Sequence, residues 1–165
     1  FNSITEKLDT STAVGRMFVK IIGIFAEFER ENLAERETFG YEQKTKEGNY
    51  TNTNGVYGYD YINGKIIINK KEKELINNIY NLYLNGYSMF QIANKLNKEN
   101  TPTKRNGKWY QSTIKSILTN PLYIGKIRYG LHKKHKSFQV LGKQEKIISI
   151  NKFNKVQKII KEKRA

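Results

Sequence analysis

Residues 13–37 read AVGRMFVKIIGIFAEFERENLAERE, and this stretch decides the architecture. Apolar side chains at Val14, Met17, Phe18, Ile21, Ile22, Phe25 and Phe28 recur at helical spacing. Just before them, Asp9, Thr10, Ser11 and Thr12 offer side-chain oxygens to the free N–H groups of a first turn. A charged continuation through Glu27, Glu29, Arg30, Glu31, Glu35, Arg36 and Glu37 extends the helix as a solvated rod. Gly48 is a natural stop, and Lys44 and Lys46 suit the negative end of the dipole. A helix over residues 13–47 is roughly 50 Å long at about 1.5 Å per residue, too long to lie on one small domain. Ile24 and Ala26 fall off the main stripe. The first half is therefore expected to be buried on two sides, one against a domain and one against a partner helix. Met17, Ile21, Ile22, Phe25 and Phe28 are the candidate oligomer interface. A buried core helix of a monomer is the competing reading, but little else in the chain could cover both faces.

Charge divides the chain. Of 165 residues, 30 are Lys or Arg and 15 are Asp or Glu, a net charge of +15. Residues 1–40 are net −2, residues 41–99 net +2, and residues 100–165 net +15. An excess confined to the last part is the pattern of a polyanion-binding portion joined to something else. No apolar run approaches the ~18 residues of a membrane span, so no membrane partner is expected. Cysteine is absent, which excludes disulfides, thiol catalysis and cysteine-held zinc within these residues.

Residues 48–55, GNYTNTNG, form a polar connector. A surface loop is the plain reading. The functional one is an arm in a DNA groove, with Asn49, Tyr50, Thr51, Asn52 and Thr53 near base edges and Lys44 and Lys46 at phosphates. Asn63-Gly64 between two β-prone runs signals a hairpin. A helix follows from Asn69 to Leu84, with Asn69 and Glu72 as a capping pair and Leu75, Ile76, Ile79, Tyr80, Leu82 and Tyr83 inward. Ser88 and Gln91 cap the next helix. After a basic loop, Ser112 is read as the cap of a third, with Ile114, Ile117 and Leu118 inward.

Two short helices joined by a basic loop read as a helix-turn-helix with a stretched turn. Lys104, Arg105, Lys108 and Trp109 are the loop's candidate DNA contacts. Gln111, Ser112, Thr113, Lys115, Ser116 and Thr119 are those of the following helix, which carries no acid. Beyond Gly125, short β-prone pieces are expected at residues 126–129, 138–140 and 146–149, and a last helix at 151–163. Lys133 and Lys134 are further candidate phosphate contacts. His132 and His135 have ligand-like spacing but no third ligand nearby, so no metal site is assigned.

Two stretches carry a resemblance. FNSITEKLDTSTAVGRMFVKIIGIFAEFERENLAER, residues 1–36, resembles the end of the catalytic domain and the long linking helix of serine recombinases. Asp9-Thr10-Ser11-Thr12, Gly15-Arg16, Phe28-Glu29-Arg30-Glu31 and Glu35-Arg36 carry the match. GYSMFQIANKLNKENTPTKRNGKWYQSTIKSILTNPLYIGK, residues 86–126, is similar to the recombinase domain of the large members. Ile92-Ala93, Leu96-Asn97, Thr101-Pro102, Trp109, Ser112-Thr113, Ile117-Leu118 and the run Asn120 to Gly125 carry that match. Family members have Pro-Pro-Tyr-Gly-Tyr where this chain has Gly55-Val56-Tyr57-Gly58-Tyr59.

The resemblance implies a mainly α fold with small β hairpins (α+β), a long N-terminal helix leading to a helix-turn-helix-like DNA-binding domain. It divides the chain into the end of a catalytic domain with its assembly helix (1–47), a linker arm (48–55), a DNA-binding recombinase domain (56–130) and a basic extension (131–165). The implied parent breaks and rejoins DNA at attachment sites through phosphoserine linkages, integrating or excising mobile DNA. Its nucleophile lies in a Tyr-x-Arg-Val-Ser motif that these residues do not contain, so this portion is expected to bind DNA without cutting it. Glu35 and Arg36 fall near the family active site. The expected partners are a double-stranded attachment half-site and further copies of the parent, as dimer and tetramer, through the long helix. No cofactor is expected here; zinc would belong to a ribbon domain further along the parent. The expected location is the bacterial cytoplasm, at the nucleoid. A helix-turn-helix transcription regulator and an RNA-binding protein are the alternatives.

Overall fold

A computed structural model describes residues 10–52, 55–130 and 137–163. The chain divides into two units, Phe1–Gln43 and Lys44–Ala165.

The first unit is helix α1, Ala13–Lys46, whose last turn belongs to the second unit. Thr12 starts it: its Oγ1 accepts from the Gly15 N–H at 3.0 Å. The Arg16 guanidinium donates back to the Thr10 and Ser11 carbonyls. Met17, Ile21, Ile22, Phe25 and Phe28 are all exposed, as are Val14, Ile24 and Leu33. Burial on two sides is expected only with a partner, and in the single chain these side chains are open to solvent. The helix ends as its sequence predicts. Gly48 takes φ +77°, its N–H donates to the Thr45 carbonyl, and the Asn49 N–H reaches the Lys44 carbonyl. This paired closure needs a residue free to enter the left-handed region.

The second unit is an α+β body. Strands β1 (Tyr59–Ile62) and β2 (Lys65–Ile68) pair antiparallel, turning at Asn63 and Gly64, both at positive φ. Helices α2 (Lys70–Leu84), α3 (Met89–Lys98) and α4 (Gln111–Thr119) follow, then a 3-10 turn at Pro121–Ile124. Strands β3 (Lys126–Tyr129) and β4 (Phe138–Leu141) form a second hairpin, and α5 (Ile150–Glu162) closes the chain. At α3 both capping-box bonds are made, Gln91 N–H to Ser88 Oγ and Ser88 N–H to Gln91 Oε1.

One core gathers Ile76, Ile79 and Tyr80 of α2, Ile92 and Leu96 of α3, Ile114 and Leu118 of α4, and Phe153, Val156 and Ile160 of α5. Three buried tyrosines tie backbone to it. Tyr59 donates to the Glu145 carbonyl at 2.7 Å, Tyr123 to that of Tyr57 at 2.8 Å, and Tyr80 to those of Ile117 and Leu118 at 3.2 Å. Gly58 is obligatory: it sits at φ +97°, and a Cβ there would collide with Ile76 and Ile147.

Three expectations need correction. Residues 137–163 are not an appended extension, since Ile147, Ile148 and α5 complete the same core. Residues 146–149 are not a strand. Ile147 and Ile148 are both buried, which breaks the alternation of a half-buried strand, and both their N–H groups donate to the Tyr123 carbonyl. Helix α4 begins two residues earlier than expected, with Tyr110 rather than Ser112 at its N-cap and no side-chain capping bond.

Candidate nucleic-acid interface

The outward side of α4 is bordered by three clefts. In the first, Gly55, Val56 and Tyr57 face Arg105, Lys108, Tyr110 and the α4 residues Thr113 and Ser116. In the second, Tyr50, Thr51 and Asn52 face Ser116, Thr119, Asn120 and strand β3 with Lys126 and Arg128. The third runs between α3 and the start of α4, with Phe90, Asn94, Lys108, Tyr110, Gln111, Ser112 and Lys115. Among the described residues no carboxylate lines any of the three, and each cleft holds at least one lysine or arginine. A fourth groove, on α2, contains Glu74. Residues 50–52 and 55–57 thus each line a cleft bordered by α4, and Ser116 is shared by both.

Local chemistry fixes this surface. Trp109 stands just before α4, and Asn97 grips it with both amide atoms: its N–H donates to Asn97 Oδ1, and Asn97 Nδ2 donates to its carbonyl, each at 2.8 Å. The indole N–H donates to the Thr101 carbonyl at 2.9 Å. In the loop, Thr103 closes a turn by accepting from the Gly107 N–H at 2.8 Å.

Several predicted contacts stand elsewhere. Trp109 is 2% exposed and belongs to the core, its ring 5.1 Å from that of Tyr57 and nearly perpendicular to it. Lys104 is engaged inside the unit. Its ammonium donates to Asp60 Oδ1 at 2.8 Å, to Glu72 Oε2 at 3.0 Å and to the Tyr59 carbonyl at 3.0 Å. Glu72 also accepts from the Gly58 N–H at 2.6 Å, so this group joins the first hairpin, α2 and the basic loop. Partial burial alone would lower the Lys104 ammonium, but its bonds to Asp60 and Glu72 outweigh that and raise it. The bond from Lys104, opposed by partial burial, holds the Asp60 carboxyl below its usual value. Spacing could not show this, because the two carboxylates lie 44 and 32 residues away.

Tyr50 is half-buried against the core, and burial pushes its phenol up to about 12. Asn49 accepts from Lys143 at 3.0 Å, and Lys46 lies over the Phe138 ring. The Thr119 hydroxyl turns back to the Lys115 carbonyl at 2.8 Å. Lys44, Arg105, Lys108, Gln111, Ser112, Lys115 and Ser116 are exposed, and Thr113 is half-buried. Thr53, Lys133 and Lys134, with His132 and His135, lie outside the described residues. Glu35 and Arg36 are exposed on α1, in the other unit. Lys126, Arg128 and Asn120 were not anticipated. The alternation of β3 held the signal, since Ile127 is buried while Lys126 and Arg128 point outward. Among the described residues no group of three or more His, Cys, Asp or Glu is placed to hold a metal, and no helix is long and apolar enough to cross a membrane.

Comparison with known proteins now bears on this surface. The family model described as Recombinase matches residues 70–163, and that described as Resolvase, N terminal domain, matches residues 1–50. A Bacillus subtilis (strain 168) protein described as "Putative DNA recombinase" is 30% identical over 122 residues, 69% of this chain and 24% of that protein. The DNA-invertase of Escherichia phage P1 is 44% identical over 48 residues, 29% of this chain and 26% of the invertase. A solved structure described as a crystal structure of an LSR–DNA complex superposes with a TM-score of 0.63 at 28% identity, covering 77% of this chain and 38% of that one. The chain spans about a quarter of the length of the curated relatives it matches. With the Recombinase match covering more than half of its residues, the chain belongs to the large serine recombinase family.

Proposed function

We propose that residues 44–165 are the duplex-reading unit of a site-specific recombinase, and that α1 is the rod through which copies assemble as dimers and tetramers. The observation that carries the reading is the carboxylate-free surface around α4, where Arg105, Lys108, Lys115, Lys126 and Arg128 surround short polar side chains on a rigid helix. Charge and pattern divide the work. Cations hold phosphates of any sequence, each contributing about 0.9 to the slope of log affinity against log salt. Gln111, Thr113 and Ser116 can tell donors from acceptors along base edges in a major groove. The connector beside α4 supplies a second line of contact at Thr51 and Asn52. The exposed apolar residues of α1 favour assembly, since large apolar patches seldom stay bare. That a similar structure is a recombinase–DNA complex supports duplex DNA as the partner.

Strand breakage and rejoining at an attachment site are proposed for the whole recombinase, with a serine nucleophile outside these residues. Any zinc would belong to another part of it.

The test is competition among three probes of equal length: a duplex selected by the chain from a randomised pool, a scrambled duplex, and a structured RNA. The selected duplex should win at every salt concentration. Equal binding of RNA and duplex would favour an RNA-binding protein. A transcription regulator predicts the same preference but no assembly through α1.

A further inference from the structure

Two aromatic side chains stand across the α3–α4 cleft without an inward partner. Phe90, in the first turn of α3, is 60% exposed, and Tyr110, at the N-cap of α4, is 61% exposed. Neither is on a loose segment. Phe90 lies between Ser88 and Gln91, whose reciprocal bonds fix the start of α3. Tyr110 follows Trp109, which Asn97 and Thr101 hold at three atoms. Tyr110 also borders the neighbouring cleft, beside Thr113 and Ser116 of the proposed reading face. Lys108 and Lys115 stand at the rim, and no carboxylate is present, so the occupant that fits is anionic at its edges and apolar where it meets the rings.

We propose that Phe90 and Tyr110 are specificity-determining residues that read thymine methyl groups in duplex DNA. The inference rests on the duplex-reading function proposed above. Its chemistry is restrictive. Base edges in the major groove offer hydrogen-bond donors and acceptors and a single kind of apolar group, the C5 methyl of thymine. A phenyl ring gains nothing from a donor or acceptor, and phosphates engage the two lysines. A rigid ring presented to that groove therefore discriminates thymine from the other bases. The Tyr110 hydroxyl is not needed for this.

The experiment uses duplexes that the chain itself selects from a randomised pool, with each thymine replaced in turn by deoxyuridine, which keeps the pairing and removes only the methyl. Sensitive positions should lose about fourfold in affinity, the ratio set by burying one methyl-sized group. Phe90→Ala and Tyr110→Ala should each abolish the deoxyuridine sensitivity of one position and leave that of the others intact. Tyr110→Phe should retain it. Because the probe changes only the DNA, misfolding of a variant cannot mimic the wild-type result. If the chain binds its selected duplex but no position distinguishes thymine from deoxyuridine, the inference is overturned and the duplex-reading function stands. The same holds if the Ala variants weaken binding with deoxyuridine sensitivity intact, which would place the rings on sugars. Failure to select any duplex overturns both.

Discussion

Replacing Lys104 by methionine removes a charge and leaves the stem, and the structure makes its consequence specific. The ammonium holds Asp60, Glu72 and the Tyr59 carbonyl at 2.8–3.0 Å, and the side chain is 28% exposed. Charge-assisted bonds contribute about 1.5–3 kcal/mol each when well desolvated. Asp60 is open to solvent here, and screening removes much of its share. A total of about 2 kcal/mol follows, which in a unit of this size lowers Tm by roughly 6–8 °C. The acid limb should change as well. The Asp60 carboxyl is depressed in the folded state, so its contribution is present above its ordinary value of 3.8 and is lost as pH falls below it. Lys104→Met should flatten that loss. DNA binding should keep its salt slope, because the charge is spent inside the unit, whereas Arg105→Ala or Lys108→Ala should lower the slope by about 0.9 and leave Tm alone. Thermal melts and salt titrations on the same three variants separate the cases. A Lys104→Met protein with unchanged Tm and a slope lowered by about 0.9 would refute the reasoning, and Lys104 would then be a phosphate contact.

Tyr80→Phe should cost about 1 kcal/mol in urea unfolding, since it deletes a buried hydroxyl shared by the Ile117 and Leu118 carbonyls. Burial pushes the phenols of Tyr50 and Tyr57 from 10.0 up to about 12. Stability should be full below pH 10 and fall toward pH 12, because the unfolded chain ionises first; urea melts across that range, with Tyr57→Phe as the comparison, check this. The chain should self-associate through α1 in sedimentation, and Ile22→Asp with Phe25→Asp should give a monomer that still binds duplex DNA. A wild type that stays monomeric at high concentration would remove the assembly role of that face.

Most of the fold was legible because its signals are local. The spacing of Val14 to Phe28, the Asn63-Gly64 turn, the Ser88–Gln91 box and the left-handed Gly48 each act over a few residues. Of the proposed interface, exposure alone was legible, where it follows from helical periodicity, as at Gln111, Lys115 and Ser116. Lys104 and Trp109 misled because their partners are distant in sequence: a lysine in a basic loop looks free until Asp60 and Glu72 fold beside it. The same holds for residues 147–160, whose place in the core depends on contacts from α5 to α2 and α4 that no local pattern announces. The double burial expected of α1 depends on surfaces beyond the described residues. Its apolar width calls for partners, but sequence alone does not say whether this chain supplies them.

The central claim is that the outward face of α4 lies against duplex bases. The chain has no cysteine, so a single introduced thiol is unique. Ser116→Cys should be captured, as a disulfide, by a thiol tethered to a major-groove base edge at one narrow position of a selected duplex. Asn81→Cys, exposed on the α2 groove, should be captured at none. Capture of Ser116→Cys at no position, or to the same extent as Asn81→Cys, would contradict the account.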